Sequence, residues 1–99
     1  MPREREHLFI VTYDISEPKR WRQVFRLMKG YGKWLQLSVF QCRLSAKRHA
    51  EMVQLLDGAI APQSDRVLVV DVGPAEDVEP RFISLGEKFE VVERGPMIV

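Results

Sequence analysis

The chain has 99 residues, 45% of them hydrophobic and 29% charged, with a formal net charge of +1 and a single cysteine, Cys42. That length supports one domain with a modest core. The lone cysteine excludes an intrachain disulfide or a thiolate-built zinc site and fits a reducing, cytoplasmic setting; no apolar run reaches the roughly 18 residues of a membrane span, and the charged leader Arg3-Glu4-Arg5-Glu6 is unlike a signal peptide.

The first strand is expected over residues 7–13, with Phe9, Val11 and Tyr13 on one face and Leu8, Ile10 and Thr12 on the other. Both faces are largely apolar, the pattern of a central strand. Asp14 follows, and then a helix over residues 17–29, with Pro18 in its first turn and Trp21, Val24, Phe25 and Met28 as its buried stripe. Lys19, Arg20, Arg22, Arg26 and Lys29 occupy the polar arc, and Gly30-Tyr31-Gly32 ends the helix. A strand region over 34–44, bent or bulged near Gln36 and Leu37, comes next. Ser45 caps a second helix over 46–57, whose apolar side holds Ala50, Met52, Val53 and Leu56, with Gly58 as a stop signal. Residues 66–72 read as another strand apolar on both faces. Residues 81–85 and 88–92 read as two short strands joined at Gly86-Glu87, glycine taking a positive φ, and residues 96–99 form an apolar tail.

This order fits an α+β fold, a ferredoxin-like βαββαβ sandwich with an extra C-terminal strand or hairpin and both helices on one face of an antiparallel sheet. The other face is then bare. Either Phe9, Val11, Tyr13, Val67 and Val69 or their opposites would point into water, forfeiting roughly 1.5 to 3 kcal/mol each, so a face-to-face homodimer is expected. The tail is expected to add to a partner's sheet edge.

Charge is unevenly spread: residues 1–50 hold eleven Lys and Arg against four acids, residues 51–99 four against ten. Unless the two sets interleave in space, this polarises the surface and offers a basic face to a polyanion. Lys19, Arg20, Arg22, Arg26, Lys29, Lys33, Arg43, Lys47 and Arg48 are the candidate phosphate track, the alternative being a solvated helix face. Asp14 is the candidate metal ligand. Mg²⁺ often takes only one or two protein carboxylates, so an Asp14 from each subunit near a two-fold axis would serve, and the ion would promote attack of water on a phosphodiester. The competing reading is that Asp14 caps the first helix. Tyr13, Phe40, Tyr31 and Trp34 either stack on bases or pack internally. His7 and His49 lack metal-ligand spacing, Asp71 is a second acid or a turn residue, and Cys42 is a small buried hydrophobe. Neither a Gly-rich phosphate loop nor a catalytic triad signature is present.

Phe9-Ile10-Val11-Thr12-Tyr13-Asp14-Ile15-Ser16, Lys19-Arg20, Val24, the run from Tyr31-Gly32 through Ser38-Val39-Phe40 to Cys42, and Asp65-Arg66-Val67 together resemble the CRISPR-associated protein 2 family. The resemblance implies a ferredoxin-like homodimer that joins the CRISPR-associated integrase, protein 1, in acquiring spacers and holds the duplex DNA prespacer. It also implies, for some members, a nuclease dependent on Mg²⁺ or Mn²⁺ that acts on single-stranded RNA or double-stranded DNA. By position Asp14 inherits the catalytic and metal-binding role, and Tyr13 and Phe40 match residues associated with the site. Trp21 stands where the family often has arginine, so that function would pass to Arg20 or Arg22. Two other functions fit the same fold: an autonomous toxin-like ribonuclease, and a non-catalytic regulatory dimer that binds a small molecule.

Overall fold

The computed structural model describes residues 5–78 together with 83, 85 and 86. Its elements run β1 (His7–Asp14), α1 (Pro18–Lys29), β2 (Lys33–Gln36), β3 (Val39–Leu44), α2 (Ala46–Ala59) and β4 (Arg66–Pro74). The strands form one antiparallel sheet in the order β2-β3-β1-β4, the expected βαββαβ arrangement. Gly86 has a φ of +82°; of the two strands expected on either side of it, only Ile83 and Leu85 are described, both exposed and neither in a strand, and the rest of them and the tail lie outside the described residues.

Alternation along β1 decides what each sheet face does. Phe9, Val11 and Tyr13 join Val24, Phe25 and Met28 of α1, Phe40, Cys42 and Leu44 of β3, and Met52 and Leu56 of α2 in one core, so both helices cover that face. The other face, bare among the described residues, therefore carries the even-numbered set. There Ile10 lies beside Val70 and Thr12 beside Leu68, with Leu68 61% and Val70 43% exposed. Leu8 is the exception on this face and is buried. It lines a hollow with Gln41, Arg43 and residues 75–78, and the Ala75 N–H donates to the Glu6 carbonyl at 2.8 Å to hold that segment in place.

The expected bent strand is two strands joined by a turn at Leu37 and Ser38. Leu37 has a φ of +43°, a region that crowds any Cβ. Three hydrogen bonds hold it there: the Trp34 indole donates to the Leu37 carbonyl at 2.8 Å, the Tyr13 N–H to the Ser38 carbonyl at 3.2 Å, and the Trp21 indole to the Ser38 hydroxyl at 2.9 Å. The buried side of α2 also differs from expectation. Ala50 and Val53 are exposed, and the inward positions are Met52, Leu56 and His49, whose ring stacks on Phe9 at 4.3 Å and 4°. With Ser45 capping its start as expected, this helix continues through Gly58 to Ala59. Among the described residues no helix is long and apolar enough to cross a membrane.

Candidate nucleic-acid site

Asp14 closes β1 on the bare face and is exposed, opposite Arg66 of β4. It does not cap α1. Glu17 does so, accepting from the Arg20 N–H at 2.8 Å and the Lys19 N–H at 3.2 Å, and those bonds hold the Glu17 carboxyl below its usual range. Asp14 enters no ion pair among the described residues.

Tyr13 and Phe40 lie across the sheet from that carboxylate, in the core under α1. Their rings stack with centroids 6.3 Å apart, and Trp21 packs on Tyr13 at 6.1 Å. The Tyr13 hydroxyl is buried without a hydrogen-bond partner among the described residues. Burial pushes this phenol well above its ordinary pKa, with the neighbouring Ser38 hydroxyl offsetting part of the shift. A phenol in that state stays protonated and braces the strand end from beneath.

The cations separate into groups. Lys19, Arg22, Arg26 and Lys29 are exposed and follow one another at spacings of three, four and three, a stripe along the outer side of α1 about 15 Å long. The Lys29 ammonium also sits 5.8 Å from the centroid of the Phe25 ring. Arg20 leaves the stripe for a buried partner: its Nε donates to Asp65 Oδ2 at 2.8 Å and its Nη2 to Oδ1 at 3.3 Å. Lys33 pairs in register with Gln41, which pairs with Ile10, so it stands on the bare face and away from the α1 stripe. Arg43 pairs with Glu6 at 3.0 Å, and Arg48 lies over Tyr31 at 4.5 Å while donating to the Gly30 carbonyl. Tyr31 and Trp34 are thereby engaged within the chain, Trp34 also meeting Phe25 edge-on.

Asp65 is the residue that sequence reading missed as a partner for Arg20. Its side chain is fully buried, and it also accepts from the Ala61 N–H at 2.8 Å. Arg20 first, and Ala61 second, hold its carboxyl below the usual range against the opposing effect of burial. A carboxylate lowered in the folded state adds stability in full above the unfolded pKa and loses it as the pH falls through the folded one. Asp65→Asn is therefore expected to melt at a lower temperature than the parent at neutral pH, with the two curves converging below about pH 4. Circular-dichroism melts across that range measure this, and equal melting temperatures at neutral pH would show that the pair adds nothing.

Asp71 and Cys42, both level with Phe9, stand apart from Asp14. Asp71 lies opposite Phe9 on the helix-covered face and bonds the His7 Nδ1 at 2.9 Å, which lowers its carboxyl pKa. Burial pushes the Cys42 thiol up to about 11, leaving it a packed hydrophobe.

A four-stranded antiparallel sheet with both helices on one face, and with Asp14 ending a central strand on the other, defines a small α+β protein of the ferredoxin-like class. The chain belongs to the CRISPR associated protein Cas2 family, whose sequence profile matches residues 7–79. It is 55% identical over 94 residues to CRISPR-associated endoribonuclease Cas2 1 of Rhodospirillum rubrum, covering 95% of this chain and 92% of that one. It is 47% identical to CRISPR-associated endoribonuclease Cas2 of Geobacter sulfurreducens, covering 95% and 99%. The crystal structure of Streptococcus pyogenes Cas2 at pH 6.5 superposes with a TM-score of 0.71 at 27% identity, over 80% of this chain and 99% of that one.

Proposed function

We propose that the chain acts as a face-to-face homodimer in CRISPR spacer acquisition, holding duplex DNA on its two α1 stripes and bridging subunits of the CRISPR-associated integrase. We also propose that it hydrolyses phosphodiesters, with Mg²⁺ or Mn²⁺ held by the two Asp14 carboxylates. One observation carries both halves: Asp14 shares the bare apolar face with Leu68 and Val70, while the α1 stripe is on the opposite side of the sheet. Joining two bare faces covers the exposed leucine and valine, turns both Asp14 residues toward one interface and leaves both cationic stripes outside.

Within one chain, no group of three or more His, Cys, Asp and Glu that could hold a metal exists among the described residues. A carboxylate from each of two chains does suit a hard cation that keeps its remaining positions for water and phosphate oxygens. When bound, such an ion supplies charge stabilisation for the phosphodiester and activation of the attacking water. The endoribonuclease names of the relatives support RNA as a substrate class for this chemistry.

The DNA half is tested by changing Arg22, Arg26 and Lys29 to alanine together. Log affinity for duplex DNA against log salt should flatten by about 0.9 for each phosphate no longer neutralised, with the dimer intact by sedimentation. An unaltered slope would place the duplex elsewhere. Co-purification with the integrase separates this reading from an autonomous ribonuclease, which has no need of that partner.

A further inference from the structure

A phosphodiester brought to Asp14 accumulates negative charge on its non-bridging oxygens as it reacts, and a cation on the same side of the sheet would stabilise it. The α1 stripe is on the other side, and both donor edges of Arg20 that face inward are given to Asp65. Lys33 stands two strands away on β2, level with Ile10 rather than with Asp14. Arg66 is different. It is the register partner of Asp14 on the adjacent strand and is exposed. Directly opposed antiparallel residues hold their Cβ atoms about 5 Å apart on the same face. The two charged groups nevertheless form no ion pair among the described residues, so the guanidinium retains its donors.

Its backbone is also fixed. Arg66 directly follows Asp65, whose buried carboxylate is bound by Arg20 and by the Ala61 N–H, and β1 holds it on the strand side. The Arg20–Asp65 pair thus sets where β4 begins and hence how Arg66 stands beside Asp14.

We propose that Arg66 is a catalytic residue of the Asp14 site, its planar fork donating to two non-bridging oxygens of the scissile phosphate. This role rests on the phosphodiesterase reading of Asp14. In the step it assists, a water oxygen bonds to phosphorus as the bond from phosphorus to the leaving sugar oxygen breaks. The electron pair of that bond stays on the leaving oxygen, which takes a proton from solvent, and the attacking water gives up a proton to solvent. Arg66 remains protonated throughout and stabilises the charge.

The test compares the parent dimer with Arg66→Ala, Arg66→Lys and Asp14→Ala in two measurements. One is steady-state cleavage of a single-stranded RNA oligonucleotide in Mg²⁺; the other is its affinity against salt in EDTA, where no cleavage occurs. Arg66→Ala should lower kcat by about 10²- to 10³-fold, the usual loss for one donor to developing charge. It should also flatten the salt dependence by about 0.7 in log K per log salt, the single-strand value for one phosphate. Arg66→Lys keeps the charge, so the slope should return while the rate recovers only in part. Unchanged kcat and slope in Arg66→Ala, alongside an inactive Asp14→Ala, would overturn the role of Arg66 alone. A rate regained by Arg66→Ala at high protein concentration would also overturn it, showing that the arginine merely supports the dimer. Cleavage that survives in Asp14→Ala would overturn the underlying reading, whatever Arg66 does.

Discussion

Asp14→Ala is expected to reduce Mg²⁺-dependent cleavage at least about a thousandfold, roughly 4 kcal/mol of transition-state stabilisation, while the fold, the dimer and duplex binding persist. The fold should tolerate the change because the carboxylate does no structural work on α1, which Glu17 caps. An exposed cross-strand pairing with Arg66 is worth at most about 1 kcal/mol. Duplex binding should persist because the α1 stripe is on the far side of the sheet. The dimer offers a second readout. Two carboxylates facing each other without a cation repel, so in EDTA Asp14→Ala should dissociate less readily than the parent, and Mg²⁺ should narrow the gap. Cleavage within a few-fold of the parent would end the claim that Asp14 holds the metal. A dimer equally stable with and without Mg²⁺ would end the claim that the two carboxylates meet.

What was legible in the sequence depended on whether its cause was local. The α1 stripe of Trp21, Val24, Phe25 and Met28 follows from helical period alone, and those residues do pack inward. Two apolar faces on β1 and β4 marked them as strands that need cover on both sides. Which face the helices take was not readable, because it depends on how the crossovers pack rather than on composition. The β2–β3 turn was hidden for a different reason. Its left-handed residue is Leu37, where glycine or asparagine would have been the signal, and two indoles hold the turn, Trp34 from the preceding strand and Trp21 from α1. On α2, His49 took an inward place by stacking on Phe9, a preference that a hydrophobicity pattern ranks below Val53. Arg20 read as one more member of a basic track because its partner is 45 positions away. Asp14 was legible as a candidate, but the helix-cap alternative fell only once Glu17 was seen making both capping bonds.

Of the described glycines, Gly32 should be the one at which an added methyl group is most damaging. Its predecessor Gly30 lies at the end of α1, where an added Cβ would meet only the Leu27 carbonyl, at 3.3 Å. At Gly32 the chain turns back onto β3, and a Cβ would lie 2.6 Å from the Gln41 carbonyl oxygen and 3.1 Å from the Cys42 Cα, and would collide with the Cys42 Sγ. Two of those obstacles are backbone of a strand paired on both sides, to β1 and to β2, so neither can rotate away. Relief requires β3 or the whole α1–β2 connection to move. Overpacking of this kind costs about 3 kcal/mol or more, a large share of the stability of a domain this size, and corresponds to a fall in melting temperature of more than about 10 °C. Gly30→Ala should change it by a few degrees at most. Cys42→Ala removes the sulfur but leaves the backbone obstacles in place, so combining it with Gly32→Ala should recover only part of the stability, a partial coupling that a double-mutant cycle measures. A Gly32→Ala melt within about 2 °C of the parent would mean that β3 yields easily. Phe40, two residues before Cys42, would then be a poor brace for Tyr13 and the strand end that carries Asp14.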